Sequence, residues 1–111
     1  MFAALPVALP KGYRILGNAS DGPTVTITIV TTRQCAECPS CHRRPRRVHS
    51  RYQRTIADLP GNGRAVLLRV RTRRFFCPLR SCTQRIFAER LTDLAPVAAR
   101  RTNRLRASLE A

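Results

Sequence analysis

Cys35-Ala-Glu-Cys-Pro-Ser-Cys41 is answered, across 35 intervening residues, by Cys77-Pro-Leu-Arg-Ser-Cys82, and these two clusters hold all five cysteines of the chain. A thiolate needs a partner that offsets its deprotonation, and four thiolates converging on one divalent ion is the usual solution. C-x2-C followed by C-x4-C reads as a tetrahedral four-cysteine zinc site. The expected ligands are Cys38, Cys41, Cys77 and Cys82, with Pro39 favouring a tight knuckle that aims backbone N–H groups at sulfur. Cys35 stands three residues before Cys38, so spacing leaves it open as an alternative ligand, and His42, next to Cys41, is another. A redox C-x-x-C expects a βαβ context that is not visible here. Four thiolates leave no open coordination position, so the expected zinc, one Zn2+ per chain, is structural.

Between the clusters lie 11 of the chain's 20 arginines. The 111 residues carry 21 basic against 6 acidic side chains, a formal net charge of +15. Solubility does not require that much charge, and self-repulsion makes it costly. The guanidinium fork matches phosphate better than an ammonium does, so the arginine bias points to a nucleic acid. With no Trp and six aromatic residues the core is lean, as in small domains that borrow a metal for stability. The apolar start, Met1–Pro10, lacks a charged n-region and is interrupted by Pro6 and Pro10, so it is not a secretory signal. No stretch approaches the ~18 apolar residues of a membrane span. Clustered cysteines in a chain of this kind suit a reducing cytoplasm, with no membrane and no small-molecule substrate as partner.

The pattern around the cysteines is that of strands. Residues 1–12 read as a lead or a docked edge segment. Tyr13–Leu16 is a short extended run, and Gly17–Pro23 is a dense turn cluster. Thr24–Ile29 alternates strictly, with Val25, Ile27 and Ile29 on one side and threonines on the other. After a charged stretch at 42–47, Arg47–Leu59 alternates again: Val48, Tyr52 and Ile56 share one face, Arg47, His49, Arg51 and Gln53 the other. Pro60-Gly-Asn-Gly63 predicts a four-residue hairpin loop. Arg64–Phe76 follows, with Val66, Leu68, Val70 and Thr72 opposite Arg69, Arg71 and Arg73. The outcome is a ribbon with one apolar and one guanidinium face, its two feet pinned by zinc. Phe75, Phe76 and Phe87 flank the second cluster and are expected to cover the metal. Arg85–Phe87 supports a short further strand. Leu94–Glu110 reads as a helix capped by Asp93, with Pro96 in its first turn and a thin Leu105/Leu109 stripe.

The fold expected is therefore small, β-rich α+β: zinc-ribbon-like β-hairpins with a C-terminal helix. Residues 1–34 form an N-terminal lead and hairpin, 35–91 the four-cysteine domain, and 92–111 the helix. Double-stranded DNA is the expected partner, met by Arg43, Arg44, Arg46, Arg47, Arg51, Arg54, Arg69, Arg71, Arg73 and Arg74. Catalysis finds no support. There is no nucleophile elbow, phosphate loop or H-E-x-x-H, and Asp21, Glu37, Asp58, Glu89, Asp93 and Glu110 are scattered over unrelated elements. Two other classes share this composition: an RNA-binding, ribosome-associated zinc ribbon, and a protein-interaction module.

Cys-Pro-Ser-Cys (38–41), Arg-Arg-Val-His-Ser-Arg-Tyr (46–52), Arg-Thr-Ile-Ala-Asp-Leu-Pro (54–60), Arg-Arg-Phe-Phe-Cys-Pro (73–78) and Arg-Ile-Phe-Ala-Glu-Arg-Leu (85–91) together resemble the N-terminal zinc-binding region of bacterial insertion-sequence transposases of the ISL-three type. The resemblance spans about residues 35–106. It implies a zinc-binding domain that helps a transposase recognise the terminal inverted repeats of its element during transposition. It also implies zinc ligation by Cys38, Cys41, Cys77 and Cys82, and a location at the bacterial nucleoid. In that family a helix-turn-helix and a DDE-type nuclease domain follow, whereas this sequence stops within the expected linking helix. No catalytic residue carries over, and its own copy or a full-length transposase joins DNA among the expected partners. Two positions depart from the family: Gly61 stands where Trp is usual, and His42 where Gly is usual. The first bears on the hairpin tip and the second on the turn of the knuckle.

Overall fold

The computed structural model describes residues 8–110; residues 1–7, including Pro6 of the expected lead, and Ala111 lie outside the described residues. Five strands and one helix follow in order: β1 (Tyr13–Asp21), β2 (Thr24–Thr31), β3 (Val48–Gly61), β4 (Arg64–Phe76), β5 (Ile86–Ala88) and α1 (Asn103–Glu110). The chain is a small β-rich fold with one mixed sheet and one short helix, ordered β1-β2-β4-β3, with β5 beside β4.

The two hairpins that alternation predicts are present, and they are fused. β2 runs parallel to β4, setting Val25 beside Val66, Ile27 beside Leu68 and Ile29 beside Val70. All six side chains are buried, together with Ile56 of β3 and with Leu91, Leu94 and Ala95, which close over them. Each apolar row is too narrow to exclude water by itself, and joining them edge to edge makes one face that a single covering segment can seal. β2 leaves β4 after Val30 pairs with Arg71, and β5 takes the vacated edge opposite Arg74–Phe76.

Three sequence expectations are corrected. Gly17–Pro23 is not a turn cluster: β1 runs on to Asp21, with a bulge between Ile15 and Gly17, and only Gly22 and Pro23 turn. β2 supplies a full-length partner, so these turn-prone residues become an edge strand. The β3–β4 loop has two residues rather than four. Asn62 and Gly63 both take positive φ (52° and 73°), the two-residue geometry whose twist matches that of the flanking strands. Finally, the helix begins at Asn103, not Leu94. Residues 91–99 form successive turns that set Leu91, Leu94 and Ala95 on the core, and Ala98 sits at φ 60°, which a helix does not admit. Arg100–Thr102 then bonds the free edge of β3: Ala57 donates to the Arg100 carbonyl and Thr102 to that of Ala57, both at 2.8–2.9 Å.

Thr102, not Asp93, caps the helix: its hydroxyl accepts from the Leu105 N–H at 3.2 Å and donates to Asp58 at 2.8 Å. Asp58 is buried and also accepts two bonds from the Arg104 guanidinium, fixing α1 against β3. Burial works against the Asp58 charge, but the bonds from Arg104 and Thr102 outweigh it and hold its pKa below the usual carboxylate value. Asp93 instead takes hydrogen bonds from Tyr13 and Arg33, each 2.8 Å long.

Candidate metal centre and basic face

Two knuckles meet at one end of the sheet. In the first, Cys38 donates its N–H to the Arg43 carbonyl (2.8 Å) and His42 donates to the Cys38 carbonyl (2.9 Å), closing a tight loop. His42 pays for that closure with φ 64°, the left-handed region where glycine is unstrained. The second knuckle is held by Cys77 donating to Arg85 (2.8 Å) and Cys82 to Leu79 (3.0 Å). Phe76 of β4 donates to the Arg47 carbonyl at 3.0 Å, which ties the feet of the two knuckles together.

The result brings the sulfurs of Cys38, Cys41, Cys77 and Cys82 within 4.8 Å of one another. Cys38 and Cys82 lie 3.6 Å apart, Cys41 and Cys77 3.4 Å. A tetrahedron with zinc–sulfur bonds of about 2.3 Å has edges of about 3.8 Å, so donor type and spread both suit zinc. Cys35 and His42 fall outside this cluster; His42 is exposed, with its Nδ1 3.7 Å from Glu37. Burial opposes ionisation of Cys38, yet the backbone N–H groups of Cys41 and Ser40, with the neighbouring thiols, bring its pKa down to about 7. Burial pushes the Cys77 thiol up to about 12, with help from the three other sulfurs. The Cys38 thiolate therefore forms readily while Cys77 and Cys82 resist joining it; a divalent cation removes that resistance. Phe75 and Phe87, buried with centroids 5.9 Å apart, pack against the cysteines and close the cluster from the sheet side.

The arginines divide into two sets. Arg73 is turned to the fold: its Nε and Nη2 donate to Glu89 at 3.1 and 3.0 Å, and Nη2 also reaches Thr31 (2.7 Å) and the Arg33 carbonyl (2.8 Å). Arg54 donates to the Ala99 carbonyl at 2.9 Å, and Arg74 lies 4.0 Å over the Tyr52 ring. Arg51, Arg69 and Arg71 are exposed on the sheet face opposite the core. Register sets Arg71 beside Gln53 on β3 and Val30 on β2, and Arg69 beside Thr55 and Thr28. Arg43, Arg44, Arg46 and Arg47 are exposed along the segment leading from the first knuckle into β3, Arg47 resting 4.6 Å over Phe76.

One arginine on this face was not singled out by sequence reasoning. Arg14 pairs with Val30, which pairs with Arg71, so the two guanidiniums occupy one cross-strand row. The missing signal was the bulge, which strict alternation cannot reveal. Asp21, at the hairpin-tip end, is the one carboxylate on the open side of the sheet among the described residues. No described helix is long and apolar enough to cross a membrane.

Residues 34–82, which contain all five cysteines and the whole β3–β4 ribbon, match the family described as the zinc-finger of transposase IS204/IS1001/IS1096/IS1165. No curated protein and no solved structure matches the chain. The matched family and the four converging sulfurs agree on one structural zinc ion, and a ribbon of this kind is an accessory domain without catalysis of its own. Over residues 34–82 this chain is similar to the zinc-finger, a zinc-binding domain, of that transposase family.

Proposed function

We propose that this domain binds double-stranded DNA at the ends of a bacterial insertion element, and that the open face of the sheet makes the contact. Cys38, Cys41, Cys77 and Cys82 ligate the zinc; the 35–91 unit carries the ribbon, with the N-terminal unit 1–34 and the C-terminal unit 92–111 flanking it. The observation that carries the reading is that Arg51, Arg69 and Arg71 share the open face in successive rows. They are exposed together among threonines and free of acidic partners, while Arg73 next to them is neutralised by Glu89. Leaving charge uncompensated on one face and cancelling it on the other suits a polyanion. Successive arginines on β4 stand about 6.8 Å apart, at two strand residues each.

The width of the sheet selects the mode of contact. Four strands about 4.8 Å apart span roughly 14 Å between outer axes, more than the ~12 Å major groove. The face therefore rides on phosphates, which position a protein without choosing a sequence.

Titrating a labelled duplex between about 50 and 200 mM salt tests this. Arg69→Ala with Arg71→Ala should flatten the salt slope by about 1.8 log units, two contacts at roughly 0.9 each, with the fold intact. A structured RNA of equal charge run alongside separates the duplex-DNA reading from the RNA one. An unchanged slope in the double variant, or tighter binding to the RNA at matched salt, removes the proposal.

A further inference from the structure

The bulge in β1 deserves a cause. Counting back from Asp21, regular alternation keeps Ala19 and Gly17 on the open face, and would put Tyr13 there too and Arg14 beneath. Instead Ile15 pairs with Ile29 while Gly17 pairs with Thr28, so Leu16 is the extra residue. That one insertion reverses the facing of everything before it. Tyr13 moves to the core side, where it packs on the apolar cluster and donates to Asp93. Arg14 moves to the basic face, in the row of Arg71. Bulges commonly re-aim a side chain in this manner.

The same bulge borders a trough of about 330 Å³ on the open face, lined by Leu16, Gly17, Ala19, Thr28, Arg69 and Arg71, among others. On its β1 side, Gly17 and Ala19 are small and stand beside Leu16 and Asn18. Gly17 is not required there by the fold: its φ is ordinary, and a Cβ added to it meets nothing within 4 Å. Glycine inside a strand is weakening unless something must approach the backbone closely.

We infer that this trough is a seat for one phosphodiester strand of the bound duplex, with Arg14 as a third guanidinium beside Arg69 and Arg71 and Gly17 as the residue that gives the backbone room. Thr28, between Gly17 and Arg69 in the register, offers a hydroxyl donor at the centre of the seat. The inference rests on the DNA reading of the open face and adds to it a lane and three residues, Arg14, Gly17 and Thr28, outside the matched segment 34–82. It also gives the first hairpin a share in binding.

Full-length chains carrying Arg14→Gln, Arg14→Lys and Gly17→Val test it, with zinc bound and with thermal unfolding followed beside duplex titration. Arg14→Gln should weaken binding between about fivefold and tenfold near 0.1 M salt and lower the salt slope by about 0.9, while Arg14→Lys keeps most of both. Gly17→Val should unfold no earlier than the parent, since valine suits a strand, yet bind at least about tenfold more weakly. If Arg69→Ala with Arg71→Ala weakens binding while Arg14→Gln and Gly17→Val bind like the parent, the face stands and the seat is overturned. If none of these variants changes binding, both readings fall.

Discussion

Arg71 and Arg73 stand two residues apart on one strand, and alanine should expose opposite roles. Arg73 has a side chain 13% exposed, and it meets Glu89, itself 3% exposed, through two guanidinium bonds of 3.0–3.1 Å. Removing Arg73 strands a carboxylate that otherwise keeps only the Arg73 backbone N–H at 3.0 Å and a long 3.4 Å contact from Thr31. Breaking a buried pair from one side costs about 3–5 kcal/mol, against a net stability of roughly 5–15 kcal/mol for a domain. At about 4–8 °C per kcal/mol, Arg73→Ala should melt at least ~12 °C below the parent. Arg71→Ala, whose side chain is exposed and unpaired, should stay within about 0.5 kcal/mol and lose about 0.9 from the salt slope of DNA binding. Thermal melts of zinc-loaded protein give the first quantity and duplex titration the second. Arg73→Met with Glu89→Leu should recover most of the lost stability, because it leaves no lone buried charge. If Arg73→Ala melts with the parent and loses only DNA affinity, the division of the arginines into structural and functional sets is wrong.

Three further outcomes follow from the same contacts. Stripping zinc with a strong chelator should unfold the domain, because structural zinc supplies on the order of 10–16 kcal/mol, as much as the whole net stability; circular dichroism that is indifferent to the chelator would refute this. His42→Gly should stabilise the zinc-loaded form by up to about 1 kcal/mol by relieving the positive φ, whereas His42→Val should destabilise it by a similar amount; equal denaturation midpoints for the two variants would contradict the knuckle geometry. Thr102→Val should cost about 1–2 kcal/mol, since it removes both the cap to Leu105 and the bond to Asp58; a midpoint in urea within error of the parent's would return the capping role to another residue.

Much of this protein is legible along the chain because its determinants are local. The C-x2-C and C-x4-C spacings announce a cysteine metal site before any fold is known, while the convergence of Cys38, Cys41, Cys77 and Cys82 without Cys35 is decided by the tertiary structure. Alternation at Val25, Ile27 and Ile29 and at Val66, Leu68 and Val70 fixes which side of each strand is buried, because successive strand side chains point to opposite faces. What the chain order could not show is how the two hairpins meet. The parallel β2–β4 contact joins residues some forty positions apart, and it follows from the need to bury two narrow apolar rows under one cover. That contact puts Arg14 in line with Arg71, while β5 arriving at the vacated edge sets Glu89 beside Arg73 and withdraws it from the basic face. The helix shows the same limit. Residues 94–102 carry helical propensity, but Leu94 and Ala95 are needed on the sheet and Arg100–Thr102 on the edge of β3, and burial with backbone pairing outweighs a preference of a few tenths of a kcal/mol per residue.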